Sequence, residues 1–354
     1  MNRYAQYAAF AAFALAISLA AGYYAVVHLF LFLGLAPGLL LWAGVVITAL
    51  LFMAGMGLSV ASDNPKFRGL NIALGVWVGF FLILLFMLMA FDILSLVLVW
   101  PDYRTEGKLV IAIAAALAVI GAANARLVRL RRVRVPAPGL AGPLRLVVLS
   151  DLHLGPVNGL RYFRRLVERA NRERPDLVLL TGDLIDGRLT DEMFSPINDL
   201  AAPVYFSPGN HEHYAGLEDI IRMLGRTRAV PLVNRRLDLG RFELAGIDFD
   251  WNPGAFGGMV AQVVPSGTKY SILMSHGPPA FDAARRAGFD LTVSGHTHGG
   301  QFWPFTAFGR LLVRYRIGMY ERDGKRLFVT SGSGTWGPPL RLGSSSELAV
   351  IDIG

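Results

Sequence analysis

The chain has 354 residues, enough for about two domains of ordinary size, and it contains no cysteine. Disulfides and thiolate metal sites are therefore excluded, and any metal must be held by oxygen and nitrogen. Hydrophobic residues make up 53% of the chain and mean hydropathy is +0.45, too apolar for a purely soluble protein, so a membrane part is expected. The formal net charge of +8 is no argument for a nucleic-acid partner: residues 1–134 hold ten basic and four acidic residues, against 24 and 22 in the remainder. The excess flanks the apolar part, where it sets topology and meets anionic lipid.

In chain order, apolar stretches, uncharged except for Asp92 in the third, predict membrane helices over about 4–33, 35–62, 70–100 and 109–125, each close to or above the roughly 20 residues that cross a hydrocarbon core. Arg3 precedes the first, Lys66 and Arg68 follow the second, and Arg126, Arg129, Arg131, Arg132 and Arg134 follow the fourth. That distribution puts both termini, and the domain beyond residue 134, in the cytoplasm. A competing reading takes residues 1–20 as a cleaved signal, with Arg3 in its basic region and Ser18-Leu19-Ala20 at the cleavage site, which leaves the later domain extracytoplasmic. The apolar run continues to Leu33, longer than such a signal requires. His28 reads as a packing residue of the first helix. Asp92, near the end of the third, reads either as a functional intramembrane carboxylate or as a helix-end group reaching the headgroups.

Residues 135–143, "VPAPGLAGP", form a linker that prolines and glycines keep out of a helix. From Leu144 the pattern changes to short runs rich in Val, Leu and Ile: "LRLVVLS", "DLVLLTG", "PVYFSPG", "YSILMSH", "LTVSGH", "LFVTSG" and "LAVIDI". These are expected as strands buried on both faces. Between the first two, Leu160, Phe163, Leu166, Val167 and Ala170 recur at helical spacing, and alternation of strand and helix implies an α/β domain. The same helix carries Arg161, Arg164, Arg165, Arg169 and Arg172, which face either anionic lipid or ordinary solvent.

Polar residues cluster just beyond the expected strand ends, where ligands of α/β sheets gather. "VVLSDLHLG" supplies Asp151 and His153, "LLTGDLID" Asp183 and Asp186, and "SPGNHEHY" Asn210, His211, Glu212 and His213. "LMSHGPP" then gives His276, and "SGHTHGGQ" His296 and His298. Taken singly, each has a bland reading as a turn, a cap or a core histidine. Five such motifs in one order, offering only oxygen and nitrogen donors, put six of the seven histidines at one cleft.

The set resembles the calcineurin-like metallophosphoesterase superfamily, whose pattern runs Asp-x-His, Gly-Asp, Gly-Asn-His, His and Gly-His-x-His. The resemblance covers Leu144 to the C-terminus. "GHTHGGQ" and "GSGTWGPPLRLGSSSEL" are similar to its bacterial membrane-anchored branch. It implies an all-α four-helix transmembrane domain at residues 1–134 and, at 144–354, an α/β metallophosphoesterase domain built as a layered α/β/β/α sandwich.

The resemblance also implies two divalent metal ions, manganese, iron, zinc or cobalt by donor type. One falls to Asp151, His153, Asp183 and His298, and a second, shared through Asp183, to Asn210, His276 and His296. Such a pair lowers the pKa of a shared water and neutralises phosphate oxygens, so that water attacks phosphorus in line. His211 is the expected catalytic residue, protonating the leaving oxygen or stabilising the transition state; the alternative is that it only orients Asn210. Asp186 is expected either to orient a ligand histidine or to lie in a surface turn. Glu212 and His213 read as exposed or at the pocket mouth, and "AGIDFDWNPG" departs from the family loop, leaving Asp248 and Asp250 without a role.

The expected partners are the lipid bilayer and a phosphorylated, amphiphilic substrate, a phosphoester or pyrophosphate, with no nucleic acid. A scaffold or sensor that keeps the metal site without turnover is the alternative. A transporter fits less well, because the spans lack a recurring broken-helix pattern.

Overall fold

The structure is a computed structural model that describes residues 3–61, 65–187 and 190–354. Contacts divide the chain into two units, Met1–Ala123 with Gly337–Leu340, and Asn124–Trp336 with Arg341–Gly354.

In the first unit the described residues form four long helices: α1 (Arg3–Leu33), α2 (Leu39–Ala61), α3 (Arg68–Ser95) and α4 (Tyr103–Ala125). All four are long and apolar enough to cross a membrane. Ser62, the last residue of the expected second span, lies outside the described residues. Two ends differ from the sequence reading. The third helix stops at Ser95, whose hydroxyl accepts a bond from the Trp100 indole at 2.6 Å. The fourth starts at Tyr103 because Asp102 caps it, accepting from the Thr105 hydroxyl at 2.5 Å and from the Arg104 amide at 3.1 Å. His28 is not merely packing. Its Nε2 lies 3.0 Å from Asp92 Oδ1, and the Tyr24 hydroxyl donates to Asp92 Oδ2 at 2.5 Å. A carboxylate in this apolar setting is held by hydrogen bonds from α1.

The second unit contains, in chain order, β1 (Arg129–Val135), β2 (Leu144–Leu149), α5 (Leu160–Arg172), β3 (Leu177–Thr181), α6 (Asp191–Phe194), β4 (Val204–Ser207), α7 (Asn210–Ala215) and α8 (Leu217–Leu224). There follow β5 (Ala229–Pro231), β6 (Arg235–Asp238), β7 (Phe242–Gly246), α9 (Ala255–Ala261), β8 (Tyr270–Met274) and α10 (Phe281–Ala287). Last come β9 (Leu291–Ser294), α11 (Phe305–Leu312), β10 (Gly318–Arg322), β11 (Lys325–Val329) and β12 (Glu347–Ile353).

The strands make two six-stranded sheets, ordered β1-β12-β2-β3-β4-β5 and β10-β11-β9-β8-β7-β6. Side chains alternate across each strand, which decides the layers. Leu146 and Val148 of β2 meet Leu244, Ile272, Met274 and Val293 of the other sheet in one core, whereas Val147 and Leu149 meet Phe163, Leu166 and Ile220 of the helices. On the far side Ala245 and Leu273 pack against Phe256 and Ala284. The order is therefore helix, sheet, sheet, helix, the expected α/β/β/α sandwich.

One segment departs from the sequence reading. Arg129–Val135, expected as the basic flank of the membrane part, is an edge strand paired in parallel with β12, Arg129 opposite Glu347 and Val135 opposite Ile353. Arg131 and Arg132 pair with Glu347 and Glu173 at 3.4 and 2.6 Å. The sheet therefore begins before the 135–143 linker. Of the five arginines on the α5 helix, Arg169 donates to the Val128 carbonyl at 2.7 Å; Arg161, Arg164, Arg165 and Arg172 are exposed.

Candidate metal centre

Five strand ends build the site. The parallel β2, β3 and β4 deliver Asp151 and His153, Asp183, and Asn210 and His211. The parallel β8 and β9 of the second sheet deliver His276, and His296 and His298. Asp151, His153, Asp183, His296 and His298 all hold left-handed φ values between 45 and 71°. Non-glycine residues adopt this region at a cost of about 1 kcal/mol or more each, and such strain gathers where function fixes the backbone. The glycines of the motifs have a steric reason. A Cβ on Gly209 would lie 2.3 Å from Asp183 Oδ1, and one on Gly295 would lie 2.4 Å from Asp151 Oδ2.

The donor atoms converge. His276 Nε2 lies 3.1 Å from Asp183 Oδ2 and 3.3 Å from His296 Nδ1. His153 Nε2 lies 3.8 Å from the same Asp183 oxygen and 3.0 Å from His298 Nε2, which is 3.3 Å from Asp151 Oδ1. Asp183 thus stands between two histidine sets. Hydrogen bonds fix the ring tautomers: His276 Nδ1 donates to the Thr181 carbonyl at 2.8 Å, and His153 Nδ1 to Asp186 Oδ1 at 2.9 Å. Each Nε2 is left as a lone-pair donor facing inward.

These residues fit divalent cations. Imidazole nitrogens with lone pairs at 3.0 and 3.3 Å repel unless a proton or a cation lies between them, and Asn210 Oδ1 is buried with no hydrogen-bond partner. An amide oxygen left so costs free energy unless something positive meets it. Among the described residues, Asp151, His153 and His298 form one group that can hold a metal, and Asp183, His276 and His296 another.

Electrostatics agree with that fit. Burial pushes the Asp151 carboxyl up. Burial would do the same to Asp183, but His276, His153 and His211 outweigh it and hold this carboxyl far below the usual range. Burial also opposes charge on His153 and His276, yet Asp186 and Asp183 respectively raise them to about 9 and about 10. His296 falls to about 3 through burial and its neighbour His276, and His298 is also held low, by burial and His153. Without metal, protons on two rings balance the carboxylates; a bound cation would displace them.

His211 projects from α7, and its side chain remains partly accessible. Its Nδ1 is 2.5 Å from Asp186 Oδ1 and its Nε2 3.9 Å from Asp183 Oδ2. Asp186 therefore touches both His153 and His211, which together keep it at about 2 against the effect of burial; it is not a surface turn. His213 does not join the site. It is exposed and pairs with Asp248, Nε2 to Oδ1 at 2.8 Å. Five histidines, not six, therefore converge. Asp250 accepts from the Asn252 amide at 2.7 Å within its own turn. The same loop lays Phe249 and Trp251 against His296, ring centroids 5.2 and 5.4 Å away.

Two residues escaped the sequence reading. Glu212, expected to be exposed or at the pocket mouth, is fully buried and accepts from the amides of Asp183, Leu184 and Gly209 at 2.9, 2.7 and 2.7 Å. It welds the β3 and β4 loops together. Glu212→Ala is expected to strand these donors and cost about 3 kcal/mol or more, a clear fall in the thermal midpoint of the detergent-solubilised chain; an unchanged midpoint would contradict this role. Arg341, also fully buried, donates to the His298 and Gly334 carbonyls at 2.8 and 2.6 Å. The only signal for it was its place in "GPPLRLGSSS".

Comparison with known proteins identifies the family of this domain. Residues 144–300 match the family model described as calcineurin-like phosphoesterase. An uncharacterised metallophosphoesterase of Campylobacter jejuni is 34% identical over 233 residues, 63% of this chain and 62% of that protein. A transmembrane protein with a metallophosphoesterase domain from Danio rerio is 34% identical over 276 residues, 69% of this chain and 61% of that protein. An uncharacterised metallophosphoesterase of Aquifex aeolicus is 32% identical over 226 residues, 59% of this chain and 85% of that protein. The chain thus spans about three fifths of the length of the first two.

Proposed function

The chain belongs to the calcineurin-like phosphoesterase family, and on that premise we propose that it is a membrane-anchored hydrolase of a phosphoester or pyrophosphate, its substrate amphiphilic and drawn from the bilayer. The observation that carries this reading is Asp183 Oδ2, within 3.1 Å of His276 Nε2 and 3.8 Å of His153 Nε2. One carboxylate so placed would be shared by two cations. In this reading Asp151, His153, Asp183 and His298 hold one, and Asp183, Asn210, His276 and His296 the other. Bound there, the pair supplies positive charge for the phosphate oxygens and makes a water acidic enough to act as nucleophile.

The remaining chemistry belongs to the chain. Asp186 accepts from Nδ1 of both His153 and His211, so it orients a ligand and the catalytic ring at once. With Nδ1–H given to Asp186, the imidazolium form of His211 would carry its second proton on Nε2, which lies 3.9 Å from Asp183 Oδ2. From there it is donated to the leaving oxygen or hydrogen-bonds an equatorial oxygen.

The test is a screen of the purified full chain with manganese, iron, zinc or cobalt against p-nitrophenyl mono- and diesters and lipid-linked pyrophosphates. Metal-dependent hydrolysis that a chelator abolishes is expected. No turnover with any combination would favour a scaffold or sensor. The orientation proposed from the arginine distribution, both termini cytoplasmic, is tested by a reporter fused after Gly354; an extracytoplasmic signal would contradict it and favour cleavage of residues 1–20.

A further inference from the structure

Directly after the last candidate ligand the chain makes a surface that the metal site does not use. Beyond His298 it bends through Gly299 and Gly300 and runs into α11, "FTAFGRLL". Thr306, 4% exposed, is the side of this helix turned inward. On the outer side Leu311 and Leu312 are 83% and 81% exposed, the highest values for any large apolar residue described in this unit, and Phe308 and Val313 are exposed beside them. A folded domain in water does not ordinarily offer adjacent leucines with so little cover.

The sequence of this segment carries charge of one sign only. From Gln301 to Tyr320 there is no acidic residue, while Arg310, Arg314 and Arg316 are basic. Arg310 and Arg314 are exposed and border the two leucines, Arg314 also reaching Asp282 at 2.8 Å. An apolar face edged by arginines matches an anionic lipid surface, with the leucines at the acyl boundary and the guanidinium groups at the phosphates. Trp336, 54% exposed, is tied beside the start of this segment by Gln301, which bonds both its amide and its carbonyl, at 2.9 and 2.8 Å. An indole there suits the interfacial region of a bilayer.

We propose that α11 is a membrane-docking element: Phe308, Leu311, Leu312 and Val313 enter the acyl boundary of the bilayer while Arg310 and Arg314 meet anionic headgroups. An eight-residue helix binds membrane weakly by itself. Here the chain carries its own membrane spans, which hold lipid at high effective concentration. Because α11 continues the segment that carries His296 and His298, docking fixes how the metal site meets the lipid surface. The proposal concerns binding to lipid and stands whether or not the site turns over.

The chain has no native cysteine, so Leu311→Cys, Leu312→Cys and a reference variant, Val264→Cys, can each carry one environment-sensitive fluorophore. The full chain is reconstituted in vesicles of phosphatidylcholine and phosphatidylglycerol. Probes at Leu311→Cys and Leu312→Cys are expected to be quenched several-fold more strongly by doxyl-labelled lipid than the probe at Val264→Cys, and to be shielded from aqueous iodide. In the Arg310→Glu/Arg314→Glu background the lipid quenching should weaken. Iodide quenching equal to that at Val264→Cys would overturn the proposal. So would self-quenching that rises with protein-to-lipid ratio without lipid quenching, which would assign the patch to a second copy of the chain.

Discussion

His211→Ala is expected to keep both metal ions yet lose about 10² to 10⁴ in kcat, the range for a positioned acid or base. The ligand set should survive because alanine keeps the backbone amide that donates to Asp183 Oδ1 at 3.0 Å, while the lost ring stands 3.9 Å from Asp183 Oδ2, beyond hydrogen-bond reach. The lost part is the ring held by Asp186. If Nε2 delivers a proton, the deficit should shrink for p-nitrophenyl esters, whose leaving group needs little protonation, relative to alkyl esters. If the ring only stabilises equatorial oxygens, the deficit should be the same for both. Steady-state kinetics with the two ester types, on protein of measured metal content, makes the distinction. Near wild-type turnover with both would remove His211 from the chemistry.

Asp183→Asn should be more severe. This carboxylate lies between both histidine sets and carries the negative charge that helps raise His276 and His153. An amide of the same shape cannot bridge two cations with full charge, so metal content should fall well below that of wild type and kcat/KM by about 10³-fold or more. His298→Ala is the control. It removes one donor from the set with Asp151 and His153 and leaves Asp183, Asn210, His276 and His296 in place, so one class of ion should weaken selectively. Equal loss from both variants would argue against Asp183 as the shared ligand.

The site was more legible than the framework around it, for a physical reason. Each ligand motif is local: a run of Val and Leu ends, and the polar group follows within two or three residues, as in "VVLSDLH" or "TVSGHTH". Asp151 and His276 could therefore be placed without knowing how the strands pair. Arg129–Val135 could not. "RLRRVRV" has the charge of a membrane flank, and its partner strand lies at the other end of the chain. Glu212 was hidden by its own charge, since glutamate is seldom buried unless paired and its partners are three backbone amides from two loops. The pair of Asp92 and His28 joins helices 64 residues apart in sequence, so neither residue announces the other. Trp336 and the leucines of α11 were unreadable for the opposite reason: exposure is a property of the fold, and a sequence shows only that the residues are apolar.

The proposed phosphoesterase chemistry requires that the domain hold two cations sharing Asp183. The direct measurement is elemental analysis of the purified full chain after loading with each divalent metal and removal of excess. A plateau at two ions per chain is the expected result, and a plateau at one, or none, would contradict the account.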